Sequence, residues 1–278
     1  MKAIVRALAD AARQLSVTSD TARLDSELLM AEALNIDRDK LILAPPDRAV
    51  PKRFWTMVDR RKDGEPVAYI TGRRAFWNID LHVGPGVLIP RPDSEVLIAS
   101  AIEHFEGREG PRRILDLGTG PGTLLLAALD IWPDATGIGV DLARRALSYA
   151  SANARRLGFE KRAKWTLADW AADIDEEFDL ILCNPPYVAD DAELGPGVRE
   201  YEPDEALFAG TEGLDAYRAL APQLPRLLDR HGLAAVEIGF DQAEAVTALL
   251  ARDGLQAKVA YDLADRPRAL LLTCVRTK

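Results

Sequence analysis

The chain is poor in the residues that build metal centres and disulfide scaffolds. It has two cysteines, Cys183 and Cys274, and three histidines among 278 residues. Two cysteines do not make a disulfide framework, and a reducing, cytoplasmic setting fits them better. The histidines are not spaced with cysteines or acids as metal ligands, which argues against a zinc site; no metal is expected. Long hydrophobic runs are also lacking. The longest, such as 124–129, fall far short of the roughly 20 residues that span a bilayer. The start, Met1-Lys2-Ala3-Ile4-Val5-Arg6, is charged within a few residues and has no signal-peptide apolar region, so no membrane association is expected. There is no internal repeat and no low-complexity tract.

What is present is a chain 48% hydrophobic with a formal net charge of −9, enough for one large or two modest domains. The charge is uneven. Residues 1–75 carry 14 basic and 11 acidic side chains, leaving 76–278 with 21 and 33, that is, +3 against −12. A strongly acidic C-terminal part is a poor match for a duplex of phosphates.

Residues 1–75 read as a small helical domain. Ala22, Leu24, Leu28, Leu29, Ala31, Ala33 and Leu34 form an apolar stripe with Asp25, Glu27 and Glu32 between them. Thr18-Ser19-Asp20 is a helix start, Pro45-Pro46 a break, and Pro51 can open a further helix through Trp55, Val58 and Arg61. Residues 76–92 read as a β-hairpin linker, with one strand through 75–83, a turn at Gly84-Pro85-Gly86, and a second strand at Val87-Leu88-Ile89. Pro90-Arg91-Pro92 leads into a helix from Asp93, with Ser94 and Glu95 in its first turn. From 93 to 278, strands and helices alternate. Strands are expected at 113–117, 136–140, 164–168, 178–183, 233–238, 256–261 and 268–275. Helices are expected near 121–131, 142–157, 213–230 and 241–253, the third interrupted at Pro222 and Pro225. This order gives an α/β fold, with a mostly parallel sheet covered on both faces. Residues 188–212 are charged, contain glycine, and are a candidate flap.

Two motifs carry chemistry. Arg113-Ile114-Leu115-Asp116-Leu117 is a buried strand in pattern, followed by Gly118-Thr119-Gly120-Pro121-Gly122. The glycines let backbone approach a ligand and turn sharply into the next helix. Their spacing is not that of a dinucleotide site. Asp141 ends the next strand, 19 residues after Gly122, where an acid can bind both ribose hydroxyls. Asp169 and Trp170 end the third strand and suit an adenine ring, the acid for the exocyclic amine and the indole for the ring face. A plain strand-to-helix turn would need neither acid. The second motif is Asn184-Pro185-Pro186-Tyr187, after the strand-like run 178–183. Asn184 offers a side-chain carbonyl, and Pro185 a backbone carbonyl without a competing N–H. Together they can accept both hydrogens of an NH2 group, and Tyr187 can stack on a planar group. A nucleoside loop followed by an amide grip points to methyl transfer onto nitrogen, with S-adenosyl-L-methionine as donor.

With these residues in place, the chain resembles the release factor glutamine methyltransferases over nearly its whole length. The carriers are Glu65-Pro66-Val67-Ala68-Tyr69-Ile70-Thr71-Gly72, Phe76-Trp77, Leu88-Ile89-Pro90-Arg91-Pro92-Asp93-Ser94-Glu95, Leu115-Asp116-Leu117-Gly118-Thr119-Gly120, Asn184-Pro185-Pro186-Tyr187, Tyr201-Glu202-Pro203 and Glu237-Ile238-Gly239. The resemblance implies a Rossmann-like class I methyltransferase sheet with a final antiparallel strand, preceded by a helical substrate-recognition domain and a hairpin. It implies methylation of the glutamine in the Gly-Gly-Gln motif of class-1 peptide-chain release factors, the expected partner. By match, Asp116, Gly118, Thr119, Gly120, Pro121, Gly122, Asp141, Asp169, Trp170 and Asn184 would hold the cofactor. Asn184, Pro185, Pro186 and Tyr187 would hold the glutamine, with Asn184, Pro185 and Tyr187 acting in catalysis. Pro121 and Ala264 depart from the family pattern, and Pro121 removes one N–H donor from the loop.

Other readings differ in substrate or in class. Adenine methylation of DNA uses the same motif order, but no separate basic recognition domain is evident. Another protein glutamine is a second possibility. A non-catalytic cofactor sensor is a third, though a sensor has no need of an amide grip.

Overall fold

The structure, a computed structural model, describes residues 3–195, 197–262 and 264–275. In chain order the helices are α1 (Ala3–Leu15), α2 (Ala22–Leu34), α3 (Arg38–Leu43), α4 (Lys52–Lys62), α5 (Val67–Thr71), α6 (Glu95–Phe105), α7 (Thr123–Ile131), α8 (Arg144–Leu157), α9 (Val198–Tyr201), α10 (Asp215–Leu220), α11 (Leu224–Leu227) and α12 (Ala243–Leu250). The strands are β1 (Arg73–Phe76), β2 (Ile79–His82), β3 (Arg113–Leu117), β4 (Thr136–Asp141), β5 (Ala163–Leu167), β6 (Phe178–Cys183), β7 (Leu228–Glu237), β8 (Leu255–Tyr261) and β9 (Pro267–Cys274). Among the described residues, no helix is long and apolar enough to cross a membrane. The chain forms two compact units, Met1–Arg73 with Leu194–Tyr201, and Arg74–Glu193 with Glu202–Lys278.

The first unit is helical. Ile4, Leu15, Leu29, Met30, Phe54 and Val58 make its core. α2 starts at Ala22, just past Thr18-Ser19-Asp20, because the Ser19 and Thr21 hydroxyls bond to the Asp25 carboxylate at 2.8 and 2.9 Å. Asp25 and Glu27 are themselves buried, whereas Leu24 is exposed. Arg61 meets Asp25 at 2.7 Å, and Arg23 and Arg38 meet Glu27 at 2.6 and 2.7 Å. Two acids can be interior here because each is ion-paired. Pro51 precedes α4 as expected.

The second unit contains a seven-stranded sheet in the order β5-β4-β3-β6-β7-β9-β8. β5, β4, β3, β6 and β7 pair in parallel, and β9 runs antiparallel to both β7 and β8. Leu115, Leu117, Ile181, Cys183, Val236 and Leu270 lie in its core. α10 and α11 replace one long helix, and the break falls between Leu220 and Leu224, around Pro222. β7 begins at Leu228, earlier than the expected 233. Gly232 permits this extension, since a Cβ there would lie 2.8 Å from the Asp179 carbonyl oxygen.

The hairpin is present, but its turn is elsewhere. β1 and β2 form a two-stranded sheet whose turn is Trp77-Asn78, inside the run expected to be one strand, and 87–89 is not a strand. Trp77 takes φ 52°, and its N–H is held by Glu95 Oε1 at 3.1 Å. Gly84-Pro85-Gly86 does turn, with Gly86 at φ 90°, but after the hairpin rather than within it, and the turn packs on α8. A Cβ at Gly84 would stand 2.4 Å from the Tyr149 hydroxyl, and one at Gly86 2.6 Å from Arg145 Cδ. Residues 188–210 are tied at their ends by a parallel bridge between Val188 and Phe208 and by Asp190 N–H to the Gly210 carbonyl at 3.1 Å.

Candidate active site

The chain leaves β3 towards β4 and β5, then returns to β6 on the other side of β3. The carboxyl ends of β3 and β6 therefore flank a topological switch point, where open α/β sheets leave a crevice for ligands. Leu117 pairs with Cys183, so the residues that follow, Gly118 and Asn184, are brought side by side. An added Cβ on Gly118 would lie 3.7 Å from the Asn184 carbonyl oxygen. A small cleft of about 40 Å³ opens there, lined by Arg91, Ser94, Asp116, Thr119, Pro121 and Asn184 with the backbone of Gly118 and Gly120.

The loop's shape requires its glycines. Gly118, Gly120 and Gly122 take φ of 71°, 56° and 88°. These are left-handed values that an L side chain adopts only at a cost. The Gly118 and Thr119 N–H groups bond to the Val140 carbonyl at 3.0 and 2.9 Å, closing the loop on β4. Pro121 gives no N–H, but its carbonyl accepts from Asn153 Nδ2 at 2.9 Å. Asn153, fully buried on α8, also pairs with both backbone groups of His82 at 2.7 and 3.0 Å. One side chain thus braces the loop against β2.

Asp116 is buried near the carboxyl end of β3, between Leu115 and Leu117. Its Oδ2 accepts from the Thr119 hydroxyl and from Leu125 N–H at 3.1 Å, while Oδ1 has no hydrogen-bond partner among the described residues. Burial pushes this carboxyl up to about 7, against the pull of those two donors. An acceptor left unpaired in a cleft suits a cationic ligand, which would restore its charge. Asp141 is also raised, chiefly by burial. Its Oδ2 accepts from Gly120 N–H and its Oδ1 from Ala143 N–H, each at 2.8 Å. A carboxylate has about four acceptor sites, so room remains for a ribose hydroxyl. Trp170 takes φ 52°, rare for a bulky residue, and its ring lies 3.8 Å from where a Gly118 Cβ would be. Asp169 is exposed beside it and does not line the cleft.

Of the second motif, Asn184 lines the cleft, Pro185 is buried, and Pro186 and Tyr187 are partly buried. Asn184 Nδ2 donates to Ser94 Oγ at 3.0 Å, which turns its oxygen away from Ser94. The Tyr187 hydroxyl donates to Glu237 Oε1 at 3.2 Å. Its pKa is raised by burial first and by Glu237 second, so it remains a donor. Gln242 ties this segment to the end of β7. Its Nε2 donates to the carbonyls of Tyr187 and Gly213 at 3.1 and 3.2 Å, and its Oε1 accepts from Gly239 N–H at 3.0 Å.

Some side chains at the site were not read from sequence in these roles. Ser94 sits at the start of α6 as expected, but its side chain makes no cap hydrogen bond and reaches Asn184 instead. Gln242 carries no motif at all. Arg91 is held by the buried Glu202, which also accepts from Ile89 N–H at 3.0 Å. The signal for this pair was the joint presence of Pro90-Arg91-Pro92 and Tyr201-Glu202-Pro203. A second hollow, at the amino ends of β3, β6 and β7 near Arg112, Asp179, Asp229 and His231, contains none of these groups.

Residues 6–72 match the model for the PrmC N-terminal domain, and residues 94–196 match the methyltransferase small domain. A release factor glutamine methyltransferase from Rhodospirillum rubrum is 43% identical over 255 residues, covering 90% of this chain and 78% of the relative. One from Caulobacter vibrioides is 38% identical over 259 residues, covering 91% and 89%. A methyltransferase structure from Pyrococcus furiosus superposes with a TM-score of 0.53 at 15% identity, covering 78% of this chain and 96% of that one, and shows the fold alone. With a glycine loop and an amide-bearing motif meeting at the switch point, and relatives at this identity over most of their length, the chain belongs to the release factor glutamine methyltransferase family.

Proposed function

We propose that this protein transfers a methyl group from S-adenosylmethionine to the side-chain amide nitrogen of the glutamine in the Gly-Gly-Gln motif of class-1 peptide-chain release factors. The observation that carries the reading is the pairing of β3 with β6, which sets Asn184 against the glycine loop while Ser94 occupies its amide nitrogen. The relatives' shared name supports the choice of substrate.

The residues present fit the cofactor. Asp116 Oδ1, without a hydrogen-bond partner among the described residues, would accept from a positively charged ligand that favours its ionised form, and 118–122 present close backbone. Asp141 has remaining acceptor capacity for ribose, and Trp170, whose ring borders Gly118, would meet the base, with Asp169 exposed beside it. Leu142, which follows Asp141 and is 69% exposed, offers an apolar face beside that base. When bound, S-adenosylmethionine supplies an electrophilic methyl carbon on sulfonium.

The protein's part is positioning. A carboxamide nitrogen is a weak nucleophile because its lone pair is delocalised into the carbonyl. Asn184 Oδ1 and the Pro185 carbonyl accept its two hydrogens, and Tyr187 packs on the amide plane. Fixed orientation and exclusion of water then supply most of the acceleration. The same two oxygens stabilise positive charge as it develops on nitrogen. On the nitrogen one N–H bond would be exchanged for an N–CH3 bond, the donor's methyl–sulfur bond breaking with its electron pair left on a neutral thioether, and the proton would leave to solvent. The helical region 1–75 recognises the protein substrate, 76–92 links, and 93–278 is catalytic. Two cysteines, one of them buried, fit a cytoplasmic protein.

Mass spectrometry of a release factor and its Gly-Gly-Gln peptide, after incubation with the protein and S-adenosylmethionine, tests the reading. One added methyl on glutamine is expected. Parallel assays with duplex DNA and a ribosomal protein separate the alternatives, and labelling of DNA in place of the release factor would overturn it.

A further inference from the structure

A carboxamide presents oxygen on one side and nitrogen on the other, and a half-turn of the side chain exchanges them. The grip assigned to Asn184 works only with oxygen towards the substrate. What sets that choice is the partner on the other side, and the partner is a hydroxyl: Asn184 Nδ2 donates to Ser94 Oγ at 3.0 Å. A serine hydroxyl can both donate and accept, so by itself it would tolerate either end of the amide. A neighbour that consumes the hydroxyl hydrogen removes the ambiguity.

That neighbour is Glu237, at the end of β7. It is 1% exposed, and the Ser94 hydroxyl lies near enough to its carboxylate to favour the ionised form, although no hydrogen bond of ordinary geometry joins the two. The Tyr187 hydroxyl donates to its Oε1 at 3.2 Å, while Oε2 has no well-formed partner among the described residues. We propose that Glu237 is a positioning residue for the methyl-transfer site, fixing through Ser94 which end of Asn184 faces the cleft and fixing the Tyr187 ring through its hydroxyl. An ionised carboxylate can only accept, so the Ser94 hydrogen points to Glu237 and Ser94 Oγ is left to accept from Asn184. One buried group thereby sets both ends of the Asn-Pro-Pro-Tyr grip. This inference rests on the assignment of Asn184 as acceptor for the substrate amide.

The surroundings hold Glu237 near the balance between its two forms. Burial acts most strongly and raises its pKa to about 7, the donors Ser94 and Tyr187 lower it, Arg268 of β9 lowers it, and Asp93 ahead of α6 raises it. Arg268 is shared between Asp93 at 3.1 Å and Asp262 at 3.3 Å. Cys183 and Tyr217 also sense its charge, and burial raises both their pKa values, so they stay neutral; the Tyr217 hydroxyl donates to the Glu237 backbone carbonyl at 3.0 Å. A protonated Glu237 would offer Ser94 a hydrogen and release the constraint on Asn184.

The test is steady-state kinetics of Glu237→Gln, Ser94→Ala, Ser94→Thr and the Ser94→Ala/Glu237→Gln double variant, with cofactor affinity measured by titration calorimetry. Each of the first two is expected to lower kcat by about 10²-fold, the scale of a misplaced reacting group, with cofactor affinity unchanged. Ser94→Thr keeps the hydroxyl and recovers most of the loss. The double variant is no worse than the poorer single, because both act on one chain of hydrogen bonds. At saturating cofactor, the wild-type kcat rises with pH through about 7, and Glu237→Gln lacks that limb. Additive losses, an equal loss in Ser94→Thr, a fall in cofactor affinity matching the fall in kcat, or an unchanged pH limb would each overturn the role. Should Glu237→Gln fail to fold, the Ser94 pair and the wild-type pH profile still decide. Rates are compared on whichever acceptor the wild type methylates. A wild type that leaves glutamine unmodified then refutes the functional reading, whereas the ratios between variants refute the positioning role.

Discussion

Asp116→Asn should stabilise the protein and weaken cofactor binding at the same time, each in a pH-dependent way. Asp116 is 1% exposed, and its Oδ1 has no hydrogen-bond partner among the described residues. Burial lifts its pKa from 3.8 to about 7. Between those values the unfolded chain has lost the proton while the native state keeps it. The native state therefore binds more protons, and stability falls as pH rises, with the full cost present above about 7. At about 1.4 kcal/mol for each tenfold step, the ceiling is ~4 kcal/mol. Relaxation around a real carboxylate reduces this to roughly 1–3 kcal/mol. Asparagine is nearly isosteric and carries no charge to desolvate. In differential scanning fluorimetry, Asp116→Asn should match the wild type near pH 4 and melt roughly 3–10 °C higher at pH 8. Saturating S-adenosylmethionine should reverse the order. The wild type gains about 2.7 kcal/mol at a hundredfold excess over Kd, whereas the variant, without an anion for the cationic ligand, gains much less. A stability gain independent of pH, or equal ligand stabilisation in both proteins, would refute the reasoning.

Other perturbations follow from the same geometry. Asn184→Ala should lower kcat by about 10²–10³-fold, as loss of a preorganised polar group does, with cofactor binding largely kept; near-normal turnover in a radiolabel assay would refute its role. Gly122→Ala introduces a Cβ at φ 88°, 2.8 Å from Leu126 Cδ1 and 3.2 Å from Trp165; calorimetry should show cofactor affinity reduced by at least about tenfold. Asn153→Ala strips partners from both His82 backbone groups and from the Pro121 carbonyl. Urea unfolding should register a loss of roughly 2–4 kcal/mol, accompanied by weaker cofactor binding; a loss of stability alone would detach Asn153 from the loop.

Much of the fold was legible because the parallel strands are short apolar runs. β3 and β6 occur as expected, since Arg113-Ile114-Leu115-Asp116-Leu117 and Phe178-Asp179-Leu180-Ile181-Leu182-Cys183 are buried on both faces and bounded by turn residues. The hairpin turn was misplaced because the Gly84-Pro85-Gly86 signal marks a different turn, one that follows β2. Those glycines clear space for Tyr149 and Arg145 of α8, while the actual turn uses Trp77, with nothing in its residue type to announce a positive φ. That Asp25 and Glu27 are interior was not legible, because a pattern of acids between apolar residues does not tell a buried face from an exposed one. Only the folded chain brings Arg61 and Arg38 to them, from 36 and 11 residues away. The glycine loop and the amide motif were local in sequence and therefore visible. Ser94, Glu237 and Gln242 reach the motif across 90, 50 and 55 residues, a distance that no spacing rule spans.

The most direct test of the account is a crystal structure of the protein with S-adenosylhomocysteine and a Gly-Gly-Gln peptide. Hydrogen-bond distances from the glutamine nitrogen to Asn184 Oδ1 and to the Pro185 carbonyl, with the Tyr187 ring against the amide plane, are predicted. A glutamine side chain bound away from those two oxygens, or an Asn184 turned so that its nitrogen faces the peptide, would contradict it.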